Sequence, residues 1–281
     1  MCKSTNQVGF WVSGQMILQI LSDLHLETPA SYDLFDIPAQ APFLALLGDV
    51  GNVRDDGFFE FLENLLRKFQ IVFLLLGNHE PYYSNWSSVR AKVTAFSDTV
   101  KQKQPPNLGE FVFLDQTRYD LTPEITILGC TLYSHVTGAQ EERVSFGLND
   151  FYHIQDWTVE DHNAAHLADV QWLNGQVDTL RSTAPQRRIV VLTHHSPVAA
   201  NNDPRATDPV HANSPISSAF ATDLSAEVCW RSAQVCLWGF GHTHYNCNFV
   251  DEDSGKRVVA NQRGYYFAQA EGFDPAKVVS P

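Results

Sequence analysis

The sequence predicts an α/β protein built on parallel strands, and three observations carry that prediction. Short apolar runs suited to buried strands recur along the chain, and amphipathic helical stretches alternate with them. The composition, 44% hydrophobic and 18% charged in 281 residues, suits a globular chain with a large core. A chain of this size buries roughly three-quarters of the surface its unfolded form exposes. The same composition excludes a disordered tail, a collagen-like repeat and a disulfide mini-protein.

Taken in order, Met16–Ser22, Pro42–Leu47 and Ile71–Leu76 are the first three apolar runs. Between the second and third, Phe58 to Phe69 reads as an amphipathic helix with basic residues near its C-terminal end. A second helix is expected from Asn85 to about Gln102, stopped by Pro105-Pro106. Strand–helix–strand order implies parallel strands joined by right-handed crossovers. Further strands are expected at Phe111–Leu114, Ile125–Leu132, Arg188–Thr193 and Val235–Trp238, with a long helix from about Thr158 to Leu180. The chain closes on an antiparallel pair, Tyr245–Val250 and Lys256–Ala260, around a turn at Asp251–Gly255. Ser134–Trp157 and Ser196–Pro215 fit no periodic pattern, and loops of that length in a compact domain are usually functional. No repeat or linker interrupts the chain, so residues 16–281 are expected to form one domain, with 1–15 an unstructured extension.

Nineteen Lys+Arg against 32 Asp+Glu give a net charge of −13, which argues against a nucleic-acid-binding face. No run approaches the ~18 apolar residues of a membrane span. The short apolar stretch Phe10–Val12 is cut off by Ser13-Gly14-Gln15, and cleavage beyond it would remove the motif at Asp23, so no signal peptide is inferred. Five scattered cysteines without a close pair read as reduced thiols and point to the cytosol.

The chemistry lies at the strand ends. Asp23 and His25 follow the first run, and residues i and i+2 of an extended segment share a face. Gly48, Asp49 and Asn52 follow the second; Gly77, Asn78, His79 and Glu80 follow the third. His194 and His195 follow Arg188–Thr193, and Gly241, His242 and His244 follow the Val235 strand. Ligands in open α/β sheets bind beyond the carboxyl ends of the strands. One Asp-x-His or His-x-His is weak evidence of a metal. Five such elements in order, offering imidazole, carboxylate and amide donors, point to a metal site, and their number suggests two ions sharing a carboxylate.

These motifs, Asp-x-His, Gly-Asp, Gly-Asn-His-Glu, a later His and Gly-His-x-His, resemble the calcineurin-like metallophosphoesterases from Met16 to the end of the Lys256 strand. Asn52 departs from the pattern, standing where many members carry a second Asp. The resemblance implies a four-layer α-β-β-α sandwich of two mixed sheets with a dinuclear metal site at the strand ends. It implies one metal held by Asp23, His25 and His244, another by Asn78, His194 and His242, and Asp49 bridging them. The ions would be divalent or trivalent: manganese, iron, zinc or magnesium. A metal-bridging hydroxide would attack phosphorus while His79 stabilises the phosphoryl charge or protonates the leaving oxygen. Asn52, Glu80 and His195 are expected just behind the ligands, with Glu80 orienting His79. The implied activity is hydrolysis of a small phosphorylated molecule, a phosphomonoester or phosphodiester. A nuclease or protein phosphatase on the same core is the alternative enzyme, and a non-catalytic metal-binding scaffold the alternative outside enzymes.

Other features read as structural. His162 and His166 have zincin spacing, but Asn163 stands in place of the catalytic Glu, so a solvated helix face is expected. His135, His153 and His211 lie in the irregular stretches and are expected as exposed loop histidines, with substrate contact as the alternative; Arg143 and Arg205 share those stretches and are candidates to meet a second substrate anion. Tyr82, Tyr83 and Trp86 are expected mainly in the core, with stacking on a substrate ring as the alternative.

Overall fold

Strands that are apolar at every position need cover on both faces, and two packed sheets with helices outside them supply it. The structure is a computed structural model and describes residues 16–103, 107–200, 202–211 and 213–281. The expected extension at 1–15 and the prolines at 105 and 106 lie outside the described residues. In chain order the elements begin β1 (Leu18–Leu21), β2 (Phe43–Leu47), α1 (Asp56–Leu66), β3 (Ile71–Leu75), α2 (Trp86–Lys103) and β4 (Glu110–Phe113). They continue with β5 (Thr117–Asp120), β6 (Ile125–Cys130), α3 (Glu141–Gly147), α4 (Asp150–His153), α5 (Val159–Thr183) and β7 (Arg188–Thr193). The last are α6 (Val228–Arg231), β8 (Val235–Phe240), β9 (Cys247–Val250), β10 (Arg257–Ala260), β11 (Gly264–Tyr265), β12 (Ala268–Gln269) and β13 (Val278–Val279).

The first sheet runs β13-β1-β2-β3-β4 and the second β5-β6-β7-β8-β10-β9. Both are mixed: β1 to β4 are parallel and β13 is antiparallel to β1, while β6, β7, β8 and β10 are parallel with antiparallel β5 and β9 at the edges. Alternate residues divide between two cores. Leu18, Ile20, Phe43, Ala45, Leu47, Phe73 and Leu75 meet Val190, Leu192 and Leu237 between the sheets. Leu44, Leu46, Val72 and Leu74 face Phe58, Phe61, Leu62 and Leu65 of α1 and Val89 and Val93 of α2 on one outer side. Ile189, Val191 and Trp238 face Leu173, Val177 and Leu180 of α5 on the other. The order is therefore α-β-β-α, the expected four-layer sandwich. Each fully buried leucine in it contributes about 1.5–3 kcal/mol.

Two differences from the sequence reading have local causes. The sixth strand stops at Cys130 rather than Leu132, because Leu132 and Tyr133 turn left-handed with φ of 71° and 52°. The Leu132 peptide is then taken up by α5: its N–H donates to Asp169 (2.7 Å) and its carbonyl lies 3.0 Å from His166 Nδ1. His162 and His166 are consequently buried, at 1% and 7% exposure, not on a solvated face. His162 Nε2 receives the Ser134 N–H at 3.2 Å.

Candidate metal centre

The loops leaving β1 and β2 are zipped together by backbone hydrogen bonds of 3.0 Å, from Asp23 N to Gly48 O, His25 N to Asp49 O and Leu26 N to Val50 O. This pairing places Asp23 and His25 beside Asp49. Five donors, Asp23, His25, Asp49, His242 and His244, hold left-handed backbones with φ between 47° and 71°. Such conformations cost about 1–3 kcal/mol each in non-glycine residues and persist where the surrounding structure over-determines them. Close packing also fixes two glycines. Gly48 is left-handed (φ 84°), and a Cβ there would lie 2.6 Å from His194 Nδ1; a Cβ on Gly77 would collide with the Asp49 carboxylate.

Asp23, His25 and His244 form one group, with donor atoms within 4.8 Å of one another. His25 Nε2 lies 2.9 Å from His244 Nε2, which lies 3.3 Å from Asp23 Oδ1. On the other side, His194 Nε2 stands 3.2 Å from Asn78 Oδ1 and 3.5 Å from Asp49 Oδ1. His194 Nδ1 lies 2.7 Å from the Leu47 carbonyl, which fixes the tautomer with the Nε2 lone pair facing the site. Asp49 stands between the groups: Oδ1 faces His194, and Oδ2 lies 3.9 Å from His25 Nε2. His242 Nε2 is buried without a hydrogen-bond partner, an orphaned donor atom of the kind a metal satisfies. The donor set therefore fits two cations.

The electrostatics agree. His194, His79 and His25 hold the Asp49 carboxyl well below the usual range although burial opposes them. Asp49 and Glu27 outweigh burial and raise His79 to about 9. Asp49 and Asp23 raise His194 to about 10, also against burial. Positive charge is what this pocket stabilises, and cations serve it as protons do.

Glu80 does not orient His79. Its carboxylate accepts the backbone N–H groups of Asp49 (3.1 Å), Val50 (2.8 Å) and Gly77 (2.8 Å), tying the β2 and β3 exits together. The partner of His79 is Glu27, whose Oε1 lies 2.9 Å from His79 Nδ1 and 3.3 Å from His25 Nδ1. Burial would raise the Glu27 carboxyl, but the two imidazoles pull it down to about 2. The signal was present in the alternation Asp23-x-His25-x-Glu27, although left-handed turns at Asp23 and His25, not an extended strand, bring Glu27 to His25. Asn52 sits further back, donating to the Tyr82 carbonyl at 2.9 Å.

Adjacent histidines on an extended strand would point apart, but the chain has left β7 by His194. Ring atoms of His194, His195 and His242 lie within 4.8 Å of one another, and both His195 nitrogens are buried without partners. Two further residues carried no sequence signal. Asp150, at the start of α4, accepts from Asn78 Nδ2 (2.8 Å) and the Tyr82 hydroxyl (2.6 Å), turning Oδ1 of Asn78 toward the site. The Tyr265 ring, from the β11–β12 hairpin, lies 4.4 Å from His25 with its hydroxyl 3.4 Å from His79 Nε2. Tyr82 and Trp86 are core residues, although Tyr82 also stacks on His79 at 4.4 Å; Tyr83 is exposed. His135 and His211 line the cavity that opens on the site, whereas Arg143 and Arg205 do not.

A family model described as calcineurin-like phosphoesterase matches residues 18–246. An uncharacterized protein of Acanthamoeba polyphaga mimivirus is 28% identical over 271 aligned residues, covering 89% of this chain and 91% of its own. Among solved structures, the phosphopantetheinyl hydrolase of Mycobacterium tuberculosis superposes with a TM-score of 0.62 at 18% identity. That match covers 90% of this chain and 91% of the other.

Proposed function

The chain belongs to the calcineurin-like phosphoesterase family, and we propose that it hydrolyses a small-molecule phosphoester, with two metal ions held by seven of its own residues. One ion is assigned to Asp23, His25 and His244 and the other to Asn78, His194 and His242. The observation that carries this reading is Asp49, one carboxylate oxygen facing each group. When bound, the metals supply Lewis-acid activation of water and neutralisation of phosphoryl charge. The protein's own residues do the rest. His79 protonates the leaving alcohol oxygen from Nε2, because Glu27 holds its Nδ1. Water adds to phosphorus, the ester P–O bond breaks, and the alcohol and a phosphate product leave. Glu80 keeps the two loops in register, and Asp150 keeps the Asn78 amide turned the right way.

The domain is assigned to residues 16–281, since β13 near the C-terminus pairs with β1. Among the described residues no helix is long and apolar enough to cross a membrane. Free Cys130, Cys229, Cys236 and Cys247 support a reducing, cytoplasmic setting. Manganese is the first metal to try, and a phosphopantetheinyl ester belongs in the substrate panel because a structural relative is named for that activity. The test is hydrolysis of p-nitrophenyl phosphate and bis(p-nitrophenyl) phosphate by manganese-reconstituted protein. Turnover of at least one that stops on chelation is expected. Turnover that survives complete metal removal contradicts the assignment.

A further inference from the structure

The site opens into a cavity of about 870 Å³ bounded by Asn78, His79, His242 and His244 at its floor. That volume is in the range of sites for drug-sized ligands, so a phosphoryl group fills only a fraction of it. Its outer walls come from the two irregular stretches, between Thr137 and Asp150 and between Ala199 and Asp223. No lysine or arginine lines it among the described residues. The two arginines nearest in sequence are committed or remote: Arg205 makes paired contacts of 2.9 Å and 2.6 Å with Asp203, and Arg143 sits exposed on α3. The charged groups of the walls are acidic instead. Asp208 and Asp223 each accept a backbone N–H at 2.9 Å, from Val210 and Ser225, and neither belongs to an ion pair among the described residues. Around them stand neutral hydrogen-bonding groups, Thr137, Gln140, Ser217 and Ser218, with Phe220 and Ile216 as apolar surface.

The cavity is thus polarised: the candidate cation-binding groups lie at its floor, while its walls carry neutral groups, the imidazoles of His135 and His211, and the acidic Asp208 and Asp223. A second anionic group on the substrate would find no lysine or arginine there, only hydroxyl, amide and imidazole groups, and would face Asp208 or Asp223 across a partly desolvated space. Resting on the phosphoesterase reading above, we infer that the physiological substrate is a phosphoester whose organic part carries no second anion. That part is neutral and hydrogen-bonding, or cationic, and larger than glycerol. Nucleoside di- and triphosphates and polynucleotides fall outside this class.

The test uses three p-nitrophenyl phosphodiesters of one four-carbon alcohol ending in an amide, a trimethylammonium or a carboxylate. With manganese-loaded full-length protein, kcat/KM for the amide and the ammonium ester is expected to exceed that for the carboxylate at least 10-fold. The Asp208→Asn, Asp223→Asn double variant is expected to narrow that ratio at least threefold. Titration calorimetry with the matching non-hydrolysable phosphonates reads the same order as dissociation constants, without turnover. A carboxylate compound bound and cleaved as well as the amide overturns the inference. Failure to hydrolyse any ester, bis(p-nitrophenyl) phosphate included, overturns the hydrolase reading instead, and the binding order still decides this one.

Discussion

Glu27 touches two residues of the proposed site through one carboxylate oxygen, because Oε1 lies 2.9 Å from His79, the proposed proton donor, and 3.3 Å from His25, a proposed ligand. Removing either partner therefore has a distinct signature. His79→Ala leaves metal content near that of the unaltered protein and cuts turnover by roughly 10²–10⁴, the usual worth of an acid–base group. Glu27→Ala lowers turnover too, but it also weakens metal affinity by about 10–100-fold, as the loss of a carboxylate behind a ligating histidine does. Metal analysis beside kinetics separates them; equal metal loss in both variants would make His79 a ligand. At this scale much of the site was legible. Asp23, His25, Asp49, Asn78, His194, His242 and His244 could be singled out because each follows an apolar run, and strand ends converge by topology. Glu27 was legible in principle from its alternation with His25, whereas Asp150 and Tyr265 reach the site from segments whose path is set only by tertiary packing.

Among the elements, α5 shows what periodicity conveys and what it omits. Its start was marked by Thr158, which forms a capping box with Asp161. Its lower half carries Leu173, Val177 and Leu180 into the core at helical spacing. The face bearing His162 and His166 looked solvated, because the loop from Leu132 to Ser134 that covers it has no signal in the helix itself. The burial has a consequence for stability. It holds His162 neutral and lowers its pKa from 6.5 to about 3. The unfolded chain then binds a proton that the folded chain does not, so stability falls as pH drops from about 6.5 toward 3. At pH 5 the loss from this residue is about 2 kcal/mol. Denaturant unfolding at pH 7 and pH 5 is expected to show it, and His162→Leu to reduce the difference. An unchanged pH dependence in that variant would mean that His162 is protonated in the fold. The short β11, β12 and β13, two residues each, escaped notice because pairs of residues have no period.

The whole molecule sets a net charge of −13 against a cluster of carboxylates and imidazoles that could hold cations. Carboxylates at the ends of β1 and β2, squeezed against imidazoles from both sheets, make one rim attractive to metals while the rest of the surface repels anions. The parallel strands were legible because they are apolar on both faces, the sandwich was implied by the family resemblance, and the two irregular stretches, like the short β11, β12 and β13, needed the structure to be placed. One carboxylate, Asp49, is proposed to serve both halves of that rim. The most direct test is the metal content of manganese-reconstituted protein and its Asp49→Asn variant, each after gel filtration in metal-free buffer. Two ions per chain in the unaltered protein and loss of both in the variant are predicted. Two tightly held ions retained by Asp49→Asn would contradict it.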